Sequence, residues 1–166
     1  KNHQGVVGYL AAIPYAELQP IIDEAYAEGR VPFFLLLDRI TDVRNFGAVA
    51  RTCECAGLDA LIIEEKGNAP ITSDAVKTSA GALHHIPVCR VKSLKQTILD
   101  LQQNGIQVVA CTEKAADPLY KIDLSGPTAL LLGSEEDGIA PPLLKVSDAL
   151  ARIPMVGKIE SLNISV

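Results

Sequence analysis

Three stretches set polar or charged side chains among glycines and apolar runs: "DRITDVRNFGAVARTCECAG" (38–57), "GSEEDG" (133–138) and "RIPMVGKIESLN" (152–163). In the first, Phe46, Val49, Ala50 and Cys53 follow the i, i+3, i+4, i+7 rule of a buried helix face. Arg51 then projects from the opposite side, between the small residues Ala48 and Cys55. It reads either as a solvated arginine or as a fixed cation beside a substrate phosphate or a partner subunit. Asn45 reads either as the N-cap of that helix, expected over 45–56, or as a functional amide. In the second stretch three carboxylates sit between two glycines. Hard-cation loops space their oxygens at alternate positions, and no histidine lies nearby. The preferred reading is therefore a tight turn in which Gly133 lets backbone approach a ligand and one carboxylate, such as Glu135, is functional. In the third, Ser161 and Asn163 alternate with Leu162 and Ile164, so small hydrogen-bonding groups are threaded between apolar ones.

Some chemistries lose support at once. The glycine fingerprint of dinucleotide binding, the phosphate loop and the G-x-S-x-G nucleophile turn are all absent after the candidate strands, so an NAD-dependent oxidoreductase is not expected. His84 and His85 fall on an expected strand, where neighbours point to opposite faces. No metal site is expected.

The elements that must position these loops alternate. Helices are expected over 14–28 (with Pro20 weakening the middle), 45–56, 73–79, 94–103 and 142–146. Strands are expected at "PFFLLLD", "DALIIEE", "HIPVCRV", "IQVVACT", "TALLLG" and "ALARIPM". This order argues an α/β domain with a mostly parallel sheet and helices on both faces. Such sheets bind ligands beyond the carboxyl ends of their strands, and each of the three stretches leaves a strand at that end.

With 166 residues, 48% hydrophobic and 21% charged, the chain has the makings of one folded domain. A net charge of −5 and an aromatic content of 4% are unlike a stand-alone nucleic-acid binder. The four cysteines are expected to be buried and reduced. No apolar run is long enough for a membrane helix, and the expected location is cytoplasmic.

Taken together and in this order, "NFGAVARTCECAG", "LLLGSEEDGI" and "IPMVGKIESLNISV" resemble the motifs of the SpoU/TrmH family of SPOUT RNA 2′-O-ribose methyltransferases. The likeness runs from about Phe33 to the end, and "VKTSAGAL" followed by "IPV" fits it too. "NHQGVVGYL" resembles the junction into the catalytic domain of members that modify a guanosine of large-subunit rRNA. The resemblance implies a C-terminal deep trefoil knot, S-adenosylmethionine as methyl donor, a homodimer with its active site at or near the interface, and RNA as substrate, rRNA favoured and tRNA possible. It carries the donor-binding role onto Gly133, Ile153 and Leu162. The family's functional polar positions fall on Asn45, Arg51, Glu135, Ser161 and Asn163.

By this resemblance residues 1–166 are a SPOUT catalytic domain, with a leading segment and helix over 1–30 and the knotted core over 33–166. A C-terminal helix that packs against the knot in relatives, and an N-terminal RNA-binding domain, are expected outside it. Methyl transfer from a sulfonium to a ribose hydroxyl needs in-line approach and partial removal of the 2′ proton. Arg51 stays protonated and so suits phosphate fixing and alkoxide stabilisation. The base is the phosphate, a water or Glu135. A knotted dimerisation or RNA-binding module without catalysis is the alternative.

Overall fold

The computed structural model describes residues 13–159 and 161–166; "NHQGVVGYL" lies outside them. Its strands are β1 (Phe33–Leu37), β2 (Ala60–Glu64), β3 (Val88–Val91), β4 (Gln107–Cys111), β5 (Thr128–Leu132) and β6 (Ala149–Ala151). Its helices are α1 (Leu18–Ala27), α2 (Val43–Cys55), α3 (Ser73–Thr78), α4 (Leu94–Gln103) and α5 (Pro141–Leu144). The strands form one sheet in the order β3-β2-β1-β5-β4-β6, and every pairing between these strands is parallel.

Period-two alternation divides the buried residues of β1 and β2 between two cores. Leu35 and Leu37 of β1 join Leu61 and Ile63 of β2 beneath Phe46, Val49, Ala50 and Cys53 of α2. Phe34 and Leu36 join Ala60 and Ile62 on the other face, covered by Ile22 of α1 and by Ile98 and Leu101 of α4. A sheet buried on both sides needs no polar face, and this is why its strands read as unbroken apolar runs. Each leucine, isoleucine, valine or phenylalanine among them, fully buried, contributes about 1.5–3 kcal/mol. On the first face α2 and α3 approach closely at Gly47, where a Cβ would lie 2.6 Å from the Ala75 carbonyl oxygen.

The first two helices depart from expectation at their starts. The first begins at Leu18 rather than Pro14, because Ala16 pairs instead with Cys89 along the edge of β3. Pro20 therefore stands in the first turn, where its missing N–H has no partner to lose. The second begins at Val43, and its N-cap is Asp42, whose carboxylate accepts the amides of Arg44 at 2.6 Å and Asn45 at 3.0 Å. Asn45 is thus not the cap. His84 ends a short 3₁₀ turn (Ala82–His84), and both it and His85 are exposed outside β3. Of the cysteines, Cys53 and Cys89 are buried as expected, but Cys55 lies on the exposed face of α2.

The chain leaves β1 toward β2 and β3 on one side and leaves β5 toward β6 on the other. The two strands are neighbours, so a crevice opens between their carboxyl ends, the usual ligand position in a sheet of this kind. Both the "DRITDVRN" and the "GSEEDG" loops rise from that point.

Candidate functional site at the ends of β1 and β5

A cavity of about 450 Å³ lies between these two loops, with Asn45 and Glu135 in its wall and Ile164 at one side. Asp42 caps α2 and so leaves the Asn45 carboxamide free to turn toward the cavity. Its Nδ2 donates to Glu135 Oε1 at 3.0 Å, and its Oδ1 accepts from Asn163 Nδ2 at 3.2 Å. Asn163 Oδ1 in turn accepts the Ser165 amide at 3.0 Å and the Ser165 hydroxyl at 2.6 Å. Three segments far apart in sequence are therefore joined through one asparagine. Among the described residues Glu135 Oε2 has no partner, so that oxygen is left to accept a hydrogen bond or a proton from a ligand.

The last segment is pinned on the same helix. Thr52 Oγ1 donates to the Ser165 carbonyl at 2.7 Å, and Ile164 packs against the core to which α2 contributes. The approach to this anchorage is open: Ile153 is 51% exposed, Ile159 73%, Leu162 47%, and Ser161 is exposed too.

The "GSEEDG" turn folds back on itself. The Gly138 amide donates to the Ser134 carbonyl at 3.0 Å and the Asp137 amide to Ser134 Oγ at 3.1 Å. A Cβ on Gly133 would overlap the Gly138 carbonyl and the Ile139 amide nitrogen. Gly133 is required there because its own chain passes so close. The turn does not gather its carboxylates into one cluster. Asp137 pairs with Arg39 at 3.1 Å and Glu135 accepts from Asn45, and no group of three potential metal ligands occurs among the described residues.

Charge is distributed unevenly around the cavity. The Arg39 guanidinium is held above its ordinary pKa chiefly by hydrogen bonds to Asp38, whereas Asp42 is held below the usual carboxylate range by the backbone amides it caps. Arg51 is exposed on the outer face of α2 and makes no hydrogen bond or ion pair among the described residues. It stands about 9 Å of helix rise beyond Asn45.

The structure thus brings together Asn45, Glu135 and Asn163. It leaves Arg51 and Ser161 apart from them, and Gly133, Ile153 and Leu162 are not in the wall of the cavity. Sequence reasoning passed over Asp38, Arg39, Asp42 and Thr52. Asp42 carried a readable signal, an acidic N-cap just before the apolar periodicity of α2.

Over residues 32–166 the chain matches the SpoU rRNA Methylase family. The putative TrmH family tRNA/rRNA methyltransferase YacO of Bacillus subtilis is 38% identical over 165 residues, 99% of this chain and 66% of that protein. The 23S rRNA (guanosine-2′-O-)-methyltransferase RlmB of Haemophilus influenzae is 39% identical over 165 residues, again 99% of this chain and 67% of the relative. The chain spans about two thirds of the length of these curated relatives. Among solved structures, the SpoU methyltransferase AviRb of Streptomyces viridochromogenes in complex with AdoMet matches with a TM-score of 0.75 at 28% identity, covering 82% of this chain and 54% of that one. With the sheet, the switch-point loops and a match that takes in all three motifs, the chain belongs to the SpoU rRNA methylase family.

Proposed function

We propose that this chain is the catalytic domain of an S-adenosylmethionine-dependent methyltransferase that modifies a ribose 2′-hydroxyl of RNA, with rRNA as substrate. The observation that carries this reading is the Glu135–Asn45–Asn163 network, set where a parallel sheet of this family changes direction. A domain kept only for dimerisation or RNA binding would have no need of a carboxylate oriented through two carboxamides. The name of the Haemophilus relative supports rRNA and that of the Bacillus relative leaves tRNA open. A cytoplasmic location follows from an RNA substrate.

Residues 153–162 fit a donor bound by apolar contact and main-chain hydrogen bonds. Among the described residues their backbone makes no hydrogen bond to other backbone, while Ile153 and Leu162 turn apolar side chains outward. Together with Gly133 they are assigned donor contacts. When bound, S-adenosylmethionine supplies a methyl group on a sulfonium, activated for in-line displacement. Glu135 Oε2 is assigned to the ribose hydroxyl, accepting its proton as the new C–O bond forms. Asn45 holds that carboxylate, and Asn163 with Ser161 orders the third loop. Arg51, without a partner among the described residues, fixes the phosphate beside the target and stabilises developing alkoxide charge.

Two features of the resemblance complete the proposal. The segment after β6 threads an earlier loop as a trefoil knot. In support, it leaves the far edge of the sheet, Leu119 donates to the Arg152 carbonyl, and it ends hydrogen-bonded to α2 beside β1 and β2. Pulling the chain from its two ends should then stop short of full extension. The protein also works as a homodimer, supported by the fully exposed Val156 and the largely exposed Ile159, and sedimentation should give twice the chain mass.

The test is methyl transfer by the full-length protein from labelled S-adenosylmethionine to rRNA and to tRNA taken from cells lacking it. Label at a single ribose of rRNA is expected. Donor binding by calorimetry with no transfer to either RNA would favour the inactive module, and label in tRNA alone would reassign the substrate.

A further inference from the structure

One arginine outside the motif positions ties the two switch-point loops together. β1 runs out at Asp38, whose amide still donates to the Leu132 carbonyl at 2.9 Å and which is only 4% exposed. Asp38 Oδ2 accepts the Ala140 amide at 2.8 Å, on the far side of the "GSEEDG" turn. The next residue, Arg39, has φ of +58°, a left-handed conformation that a side chain with a Cβ rarely adopts.

That backbone turn sends the guanidinium across the crevice. Nε donates to Asp38 Oδ1 at 3.1 Å and Nη2 to Asp38 Oδ2 at 3.2 Å. On the other side Nη1 donates to Asp137 Oδ2 at 3.1 Å and Nη2 to the Gly138 carbonyl at 2.9 Å. One planar fork thus grips a buried carboxylate with one edge and the tip of the turn with the other. A lysine cannot reproduce this geometry with a single ammonium. The loop after β2 backs the clamp: Asn68 Oδ1 accepts the Ile40 amide at 2.9 Å and the Ala69 amide donates to the Ile40 carbonyl at 2.7 Å. Strained non-glycine backbone that is this heavily cross-tied is a reason to look for function.

Glu135 rides on the same short turn, closed between Ser134 and Gly138. With Gly133 already packed against Gly138 and Ile139, the position of that turn depends on what holds Asp137 and Gly138. We propose that Arg39 is a positioning residue for methyl transfer: its fork between Asp38 and the 137–138 backbone sets Glu135 against Asn45, without itself touching donor or ribose. This inference rests on the function proposed above.

The decisive variant is Arg39→Gly in the full-length protein. Glycine accepts a φ of +58° freely, so the backbone turn survives and the substitution removes the fork rather than the fold. The expected result is a fall in kcat of about 30- to 100-fold, the scale of a misplacement near 1 Å. The KM for RNA should stay within about threefold, and Arg39→Lys should recover only part of the rate. In parallel, the side-chain amide resonances of ¹⁵N-labelled Asn45 should move in Arg39→Gly toward their position in Glu135→Ala. A kcat within about twofold of wild type, or Asn45 resonances that stay in place, would overturn the inference. Absence of transfer by the wild-type protein would instead refute the proposed function, and the Asn45 resonances would still decide whether Arg39 sets the turn.

Discussion

Gly133→Ala offers the sharpest probe of the turn that carries Glu135. Gly133 does not sit in the left-handed region, so the substitution brings no backbone strain of its own. What it adds is one methyl group into the Gly138 carbonyl and the Ile139 amide nitrogen. Both obstacles are backbone, in a turn closed by the Ser134–Gly138 bridge and gripped by Arg39, so no side-chain rotation can make room. Overpacking of this kind costs about 1–3 kcal/mol, and rigid surroundings put the value near the top of that range. Against it, alanine restricts the unfolded chain and returns about 0.4–1 kcal/mol.

The balance is a destabilisation of about 2 kcal/mol, and at about 2–4 °C per kcal/mol for a chain of this size the melting temperature should fall by about 4–8 °C. Thermal unfolding followed by circular dichroism measures it. Gly157→Ala is the matched control: among the described residues only the Ile159 amide nitrogen, at 4.0 Å, approaches a Cβ there, so its melting temperature should hold or rise slightly. If Gly133→Ala melts within about 1 °C of wild type, the turn does not press on Gly133 and the close-approach argument is wrong.

Arg51→Ala removes an exposed side chain with no partner among the described residues. Stability should change by less than about 0.5 kcal/mol and donor affinity should hold, while methyl transfer falls by about 10²- to 10³-fold; unchanged turnover would remove Arg51 from the mechanism. Asp42 is held below its ordinary 3.8 by the amides it caps, so its contribution is complete above that value and disappears as pH falls through the lower folded pKa. Asp42→Asn keeps an acceptor at the cap, and below about pH 4 its urea midpoint should fall less steeply than that of wild type; identical acid profiles would deny the cap its titration. Burial pushes the Cys53 and Cys89 thiols up to about 12 and Cys111 to about 11, whereas Cys55 is exposed. A thiol reagent at pH 8 should therefore label Cys55 first in the folded protein and the other three on unfolding, as peptide mapping would report.

The scaffold was legible because its physics is local. "FFLLL" and "ALIIE" are strands buried on both faces, and such strands keep no polar period. The fourth helix matched its expected range, 94–103, because Ser93 caps it and Gly105 follows its end. The first helix misled because the chain around Pro14 had a competing use, an extended bridge to the sheet edge that only the folded neighbour reveals. The site was legible as residue types and not as geometry. Asn45, Glu135 and Asn163 could be named, but their joining depends on β1 and β5 lying side by side, a fact of topology.

Asn45 shows how the two levels interlock. An asparagine at the start of a helix is ordinarily consumed by the backbone amides it caps, and nothing in "RNFGAVAR" says otherwise. Asp42, one turn earlier, does the capping instead: it accepts the amides of Arg44 and Asn45 and extends the helix by its first turn. Asn45 then sits inside the helix with its carboxamide unspent. A carboxamide donates on one side and accepts on the other, so it can join a carboxylate to a second carboxamide and hold both in fixed orientation. Neither aspartate nor serine could do this in its place: the first would repel Glu135, and the second lacks the reach to Asn163. The identity of residue 45 therefore answers to that network rather than to helix formation, and that division of labour between neighbouring turns makes a strand–helix connection a candidate site.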